Sequence, residues 1–481
     1  MGINMLQTKL FINNEYVDSK SGETFTIQNP ADDTLVSDPV QAAGESDVDA
    51  AVEAATTAFK GPWKKFTGAQ RAACLNKLAD LMDANLKDLA TLETMAMGQP
   101  LGVGQHIAAG GAATMRFYAG SADKIQGETY PADDGTYKIV QYEPLGVCAG
   151  ISAWNVSLLT FGWKVAPALA AGNTYIFKAS EKSPLGCLAL GPLIKEAGFP
   201  PGVINIISGG GKTGALLAAH MKIAKISFTG SVGTGKRVQA AATNSNMKRC
   251  TLELGGKSPA LVFEDADIEN AIKHCTQGFL LNSGQVCAAA SRTFVQESIA
   301  DKFIEGLKAQ YEGAGAAMGA DPMKLDTALG PLADKSQFDR VMSFIESGKS
   351  EAELVTGGAR AGDKGNFILP TIFKNPKAGA KIYEEEIFGP VLTVKTFKTE
   401  EEGIELANNT SYGLSSCVYT SSVSRALRVA SALEAGTVAV NAAHTPPLQV
   451  PFGGVKQSGN GRELGTFGLK MYMEPKSILI K

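Results

Sequence analysis

Two short stretches carry side chains able to make and break covalent bonds. In "LNSGQVCAAASR", Cys287 follows a glycine and is flanked by Val286 and alanines, so an approaching electrophile meets little bulk. In "TLELGGKSP", 34 residues earlier, Glu253 sits between Leu252 and Leu254, just ahead of a glycine pair. A thiolate is a strong nucleophile, and a carboxylate held in an apolar run can act as a general base. Each has a plainer reading: a packed cysteine in a helix-strand connection, and a glutamate facing solvent at a strand end. In "AWNVSLLTFGWKVAPALAAGNTYIFKAS", Asn155 follows a strand end, where its amide can steady an oxyanion or cap a helix. Lys178 closes the strand-like "NTYIF", at the carboxyl edge where open α/β sheets bind ligands.

Two glycine-rich turns bear on the co-reactant. "FTGSVGTGKRV" satisfies G-x-x-x-x-G-K with Gly230, Gly235 and Lys236, but Arg237 stands where a Mg²⁺-ligating Ser or Thr is needed. "SGGGKTG", at 208–214, has the ending Gly211-Lys212-Thr213, but Ile206 occupies the position of the required first glycine. ATP is therefore disfavoured at both. Two adjacent turns of this kind on one parallel sheet suit a dinucleotide better, although neither is G-x-G-x-x-G.

The elements that must position these groups follow from the rest of the chain. With 481 residues, two or three domains are expected. Residues 46–120 show a helical period, starting at "SDVDAAVEAATTAF" with Ser46 as the expected cap. From 165 to 255, strands ("NTYIFKAS", "GVINIISG", "IAKISFTG") alternate with helices ("SPLGCLALGPLIKEAG", "TGALLAAH", "GTGKRVQAAATN"). A second run has "SPALVFED", the helix "DIENAIKHCTQGFLLNSG" and "SRTFVQES". Repeated units of this kind predict an α/β protein with parallel sheets.

Composition removes several classes. The net charge of −3 argues against nucleic acid as the main partner. Seven scattered cysteines without C-x-x-C give no disulfide framework and favour a reducing compartment. Four histidines without ligand spacing give no metal site. The N-terminal stretch has no signal-peptide pattern, Leu6 breaks the myristoylation pattern, and no apolar run is long enough for a membrane span. The expected location is cytoplasmic.

Taken together, "LELGGKSP", "GQVCAAASR", "EEEIFGPV" and "PFGGVKQSGNGRELG" in this order resemble the aldehyde dehydrogenase superfamily, from about residue 9 to the C-terminus. The resemblance implies a Rossmann-like cofactor domain, an α/β catalytic domain and a small β oligomerisation flap. Its boundaries would be 1–125 and 145–255 for the cofactor domain, 126–144 for the first part of the flap and 256–460 for the catalytic domain. Residues 461–481 would return to the core and add an oligomerisation strand. It implies Cys287 as nucleophile, Glu253 as general base, and Asn155 with the Cys287 N–H as oxyanion hole. Lys164 and Glu463 would assist proton movement behind Glu253. NAD, with NADP as an option, would be held by Trp154, Lys178, Ser180, Glu181, Gly211, Gly230, Ser231, Leu254, Glu386 and Phe388. The implied reaction oxidises an aldehyde to a carboxylic acid through a thiohemiacetal and a thioester, in a homodimer or homotetramer. Attack needs the thiolate, so Cys287 is expected to titrate below ~8.5.

Two departures concern the substrate. The family usually has an aromatic and then Pro after the oxyanion Asn; here these are Val156 and Ser157. The expected pocket comprises Val156, Thr160, Phe161, Val286, His444 and Phe452, with Val156 and Thr160 on one helix face. A widened tunnel for bulky or aromatic aldehydes is the expectation. The rivals are a CoA-acylating enzyme, disfavoured by Glu253, and a non-catalytic structural or binding derivative of the fold.

Overall fold

The computed structural model describes residues 6–443 and 445–481, so His444 lies outside the described residues. Aliphatic five- and six-residue runs build the first sheet. Val147–Ile151, Thr174–Ala179, Ile204–Ser208 and Lys225–Thr229 are buried along their whole length, as expected of strands covered by helices on both faces. Its order is Gly459–Asn460, Arg249–Glu253, Lys225–Thr229, Val147–Ile151, Thr174–Ala179, Ile204–Ser208, Leu10–Ile12, Glu15–Val17. The central five strands are parallel, and antiparallel pairs close both edges.

A second, seven-stranded sheet runs Glu353–Thr356, Thr371–Lys374, Val391–Phe397, Arg292–Gln296, Pro259–Val262, Ser415–Tyr419, Thr437–Val440. All its pairings are parallel except that of Glu353–Thr356. A third sheet is a small antiparallel ribbon of Met473–Ile480, Tyr137–Pro144 and Glu128–Tyr130. The chain is thus α/β with two parallel-strand sheets, each with its own apolar core.

Two local expectations change. Helix Glu45–Lys60 is capped by Gly44 rather than Ser46, because the Asp47 carboxylate reaches back to accept the Gly44 N–H at 2.9 Å. The helix expected to end at Gly198 is two short ones, Leu185–Leu188 and Gly191–Glu196, since Gly191 and Pro192 interrupt it.

Candidate active site

The loop after the 3₁₀ turn Leu281–Gly284 presents Cys287 half-buried. This backbone is unusual: Asn282 and Ser283 have φ of 51° and 55°, a region L-residues seldom occupy. Side chains hold it there. Asn282 Nδ2 donates to the Asn155 carbonyl at 3.2 Å, Ser283 Oγ to the Gly330 carbonyl at 2.6 Å, and Gln285 Nε2 to the Asn282 carbonyl at 3.0 Å. Strain kept in place by converging hydrogen bonds is common where a loop must aim one group.

Close backbone approach then joins the motifs. A Cβ on Gly256 would strike the Cys287 carbonyl, one on Gly255 the Glu386 carboxylate, and one on Gly284 the Gly389 carbonyl. The glycine pair after Glu253 is what lets three separate chain segments meet.

Glu253 ends the strand Arg249–Glu253 and is buried, which excludes the solvent-facing reading. Its Oε1 has no hydrogen-bond partner. Burial, with the Glu463 charge, raises its pKa well above the ordinary glutamate value, against the pull of Lys164 and Arg462. Behind it, fully buried Lys164 donates to Glu463 Oε1 at 2.6 Å and to Ser227 Oγ at 3.0 Å, and Ser227 Oγ donates to the same oxygen at 3.2 Å.

The expectation for the thiol is overturned. Burial first, then the charges of Glu253 and Glu386, push Cys287 up rather than down, and the backbone N–H groups of Ala288 and Cys287 offset only part of this. Asn155 is not a helix cap: the helix Ser157–Ala170 begins after Val156, and Asn155 Nδ2 donates to the Gln285 carbonyl at 2.9 Å. This sets the Asn155 amide beside the Cys287 loop. Gln99 Nε2 fixes the Asn155 carbonyl at 3.0 Å.

The glycine-rich turns lie at the carboxyl edge of the first sheet. Ser231 is the N-cap position of helix Val232–Asn246, with its hydroxyl on Thr234 Oγ1 at 3.1 Å. Gly211 opens helix Gly211–Ala219, and a Cβ there meets nothing within 4 Å. Gly230 would press a Cβ on the Phe228 ring. Leu254 is buried, its N–H on the Ser458 carbonyl at 2.9 Å. On the neighbouring strand, Lys178 Nζ and Ser180 Oγ both reach Glu181 Oε2, at 3.3 and 3.5 Å. Burial lowers the Lys178 pKa, with Glu181 opposing. Glu386 Oε1 accepts the Gly256 N–H at 2.9 Å, and burial raises its pKa to about 7. Phe388, at φ 60°, sets its ring edge-on to Trp154, centroids 5.3 Å apart. Open space at a helix N-terminus, a ring pair and convergent polar groups fit a dinucleotide.

The pocket expectation is corrected in part. Phe161 is fully buried and packs edge-on to Phe177 at 5.1 Å, so it belongs to the core. Thr160 is also buried, with its hydroxyl on Ser152 Oγ at 2.5 Å and the Ser157 carbonyl at 3.0 Å. Val286 packs towards the second sheet's core, and Val156 stays half-buried. The apolar cluster that holds Cys287 contains Trp163, Ala288, Leu414, Phe452 and Leu464, with Leu159 and Leu448 against it. Trp163 and Phe452 meet edge to face at 5.1 Å. Leu159 and Trp163, four residues apart on helix Ser157–Ala170, face this cluster, whereas Phe161 of the same helix packs on Phe177.

A half-buried thiol and a buried carboxyl stand beside the ligand edge of a dinucleotide-type sheet, an arrangement that fits a nicotinamide-dependent oxidoreductase. The aldehyde dehydrogenase family model matches residues 16–478. An aldehyde dehydrogenase of Davidiella tassiana is 47% identical over 98% of this chain and 95% of its own. Retinal dehydrogenase 2 of Mus musculus is 47% identical over 98% of this chain and 92% of its own. The NAD⁺ complex of an aldehyde dehydrogenase from Bacillus cereus superposes with a TM-score of 0.95 at 41% identity, covering 100% of this chain and 97% of that one. The chain belongs to the aldehyde dehydrogenase family. It is an oxidoreductase that acts on aldehydes with NAD.

Proposed function

We propose that Cys287 is the nucleophile and Glu253 the base of an NAD-dependent oxidation of a bulky, apolar aldehyde to its acid. The observation that carries this is the meeting of the Cys287 loop, the Asn155 amide and a buried Glu253 beside an apolar wall of Trp163 and Phe452.

The Cys287 thiolate adds to the aldehyde carbon, and the oxyanion formed is held by the Asn155 amide and the Cys287 N–H. NAD⁺, when bound, supplies the hydride acceptor. Trp154 and Phe388 would border its nicotinamide, Lys178 and Glu386 would hold ribose hydroxyls, and the turns at Gly211 and Gly230–Ser231 would hold the pyrophosphate. Ser180, Glu181 and Leu254 would line the adenosine side and the strand edge. The acyl group is left as a thioester on Cys287. Water then adds to it, Glu253 takes the water proton, and the acid leaves as the thiol is restored. Because Glu253 and Cys287 both hold protons tightly, each step needs one of them to ionise. The buried Lys164–Glu463 pair gives the Glu253 proton a place to go.

The first sheet with its helices forms the cofactor domain, the second the catalytic domain, and the ribbon an oligomerisation flap. The assembly is a homodimer or homotetramer in the cytoplasm. No helix among the described residues is long and apolar enough to cross a membrane. Bulk in the substrate is supported by Val156 at the helix start and by the similarity to a retinal dehydrogenase. The test is Cys287→Ala: it abolishes turnover while leaving the NAD⁺ dissociation constant unchanged, and full activity in this variant would remove Cys287 from the mechanism.

A further inference from the structure

Beneath the Trp154–Ser157 turn lies an acid that the reaction above does not use. Glu93, on helix Leu86–Met97, is 1% exposed, and its Oε1 has no hydrogen-bond partner. The groups facing its carboxyl are the Ser157 hydroxyl and the Gly186 N–H, and Gly186 has no Cβ because one would occupy the carboxyl's place. Ser157 Oγ lies 2.6 Å from Ser183 Oγ, and Ser183 Oγ donates to the Trp154 carbonyl at 2.9 Å. Ser157 Oγ is 3.3 Å from that carbonyl.

Ser183 Oγ donates to the Trp154 carbonyl, and Ser157 Oγ lies within hydrogen-bond distance of both Ser183 Oγ and that carbonyl. Burial raises Glu93 to about 8, against the opposing pull of the Ser157 hydroxyl and the Gly186 N–H, so the acid is largely neutral at pH 7. A polar chain thus runs from the Glu93 carboxyl through Ser157 and Ser183 to the Trp154 carbonyl.

We propose that Glu93 anchors a hydroxyl chain, through Ser157 and Ser183, that fixes the Trp154–Asn155 peptide and so positions the Asn155 amide and the Trp154 ring. Glu93, Ser157 and Ser183 are positioning residues. The inference rests on the roles proposed above for Asn155 and Trp154. The segment is gripped from both sides, since Gln99 and Asn282 hold the next carbonyl, that of Asn155, at 3.0 and 3.2 Å. Loss of the chain frees one side only. The turn shifts while the fold persists.

The experiment compares Glu93→Leu, Glu93→Gln, Ser157→Ala and Ser183→Ala by single-turnover NADH formation, by the NAD⁺ dissociation constant from calorimetry, and by thermal midpoint. A displacement of the turn by a fraction of an ångström is expected to slow the single turnover roughly tenfold. Glu93→Leu, Ser157→Ala and Ser183→Ala should each show this loss, with weaker NAD⁺ binding. Glu93→Gln, which keeps a neutral donor, should restore both readouts to within about twofold of the parent protein. The Glu93→Leu/Ser157→Ala double variant should be no slower than either single one, since both break the same chain. A lowered midpoint with unchanged rate and NAD⁺ affinity would show a purely structural acid and overturn the proposal. So would a Glu93→Gln variant as slow as Glu93→Leu. Asn155→Ala is the control: if it turns over at the parent rate, the role given to Asn155 fails, and that outcome is distinct from failure of the chain.

Discussion

At the scale of single residues, Cys287 and Glu253 are linked by charge as well as by the proposed mechanism. The Glu253 carboxylate is one of the charges that lift the thiol pKa. Thiolate therefore accumulates only as pH rises above the ordinary thiol range. Inactivation of the protein by iodoacetamide should keep accelerating beyond pH ~9 instead of levelling near neutrality. Glu253→Gln removes one repelling charge, so its alkylation profile should move to lower pH. An unchanged profile would mean that Glu253 is too far from the sulfur to matter. The same substitution separates the two halves of the reaction: acylation needs no water-activating base, whereas hydrolysis does. Rapid mixing of Glu253→Gln with aldehyde and NAD⁺ should give about one equivalent of NADH as a burst, then little more. Steady turnover at the parent rate would assign the base elsewhere.

At the scale of elements, the turn 382–388 shows how a site residue is aimed by a neighbour. Lys257 is 1% exposed, and its Nζ donates to the Ile382 carbonyl at 2.7 Å and the Glu385 carbonyl at 2.6 Å, just ahead of Glu386. Burial lowers its pKa to about 7, close to the value of about 7 to which burial raises Glu386. Glu386 should ionise as pH rises through about 7, and a carboxylate accepts ribose hydroxyls better than the acid does. NAD⁺ should therefore bind more tightly at pH 8 than at pH 6. Calorimetry at the two values checks this, and Glu386→Gln should flatten the difference. If that variant keeps the full pH dependence, Lys257 or another group is responsible.

The elements also mark what the sequence made legible. Alternating apolar runs and glycine turns announced the parallel sheets, because strands covered on both faces are almost wholly apolar and their turns need small residues. Motif order singled out Cys287 and Glu253 as candidates, and the fold brings their segments together. The pocket was misread because Leu159, Thr160, Phe161 and Trp163 share one apolar helix, with Val156 just ahead of it. Composition cannot tell which side of such a helix faces the core until Phe177 claims Phe161. The thiol was misjudged for a similar reason, since its pKa depends first on burial and then on Glu253 and Glu386, all of which arise only in three dimensions. Glu93 was invisible, one acid within a regular helical pattern.

At the scale of the whole molecule, cofactor choice depends on charges brought together from distant segments. Glu181 is exposed beside Lys178, at the strand end proposed to hold the adenosine ribose. The only cation next to it in sequence that could neutralise a 2′-phosphate is Lys182. That side chain is turned away, paired with Asp334 Oδ2 at 2.7 Å and set over the Trp154 ring at 5.2 Å. A 2′-phosphate would thus meet the Glu181 carboxylate, and the remaining cation nearby in sequence, Lys178, already pairs with Glu181. kcat/KM with NAD⁺ should exceed that with NADP⁺ by at least roughly tenfold, and Glu181→Gln should narrow the gap mainly by improving NADP⁺. Equal efficiencies in the parent protein would refute this.

The proposed assembly rests on the ribbon. Met473–Ile480 pairs with Tyr137–Pro144 along one side only, leaving a whole strand edge unpaired among the described residues. Leu479 and Ile480 are 69% and 54% exposed there, and Tyr137 on the neighbouring strand is 65% exposed. A long open edge bearing apolar side chains is a liability for a monomer, and a second copy covers it at no cost in new structure. The Thr437–Val440 strand, with an open side at the end of the second sheet, offers a complementary edge. Leu479→Lys with Ile480→Lys adds charge to the ribbon without touching either parallel sheet. Sedimentation should then show monomers where the parent protein sediments as a dimer or tetramer. The isolated variant should retain its NAD⁺ affinity, because the turns at Gly211 and Gly230 belong to the first sheet. A variant that assembles like the parent would exclude the ribbon edge from the interface.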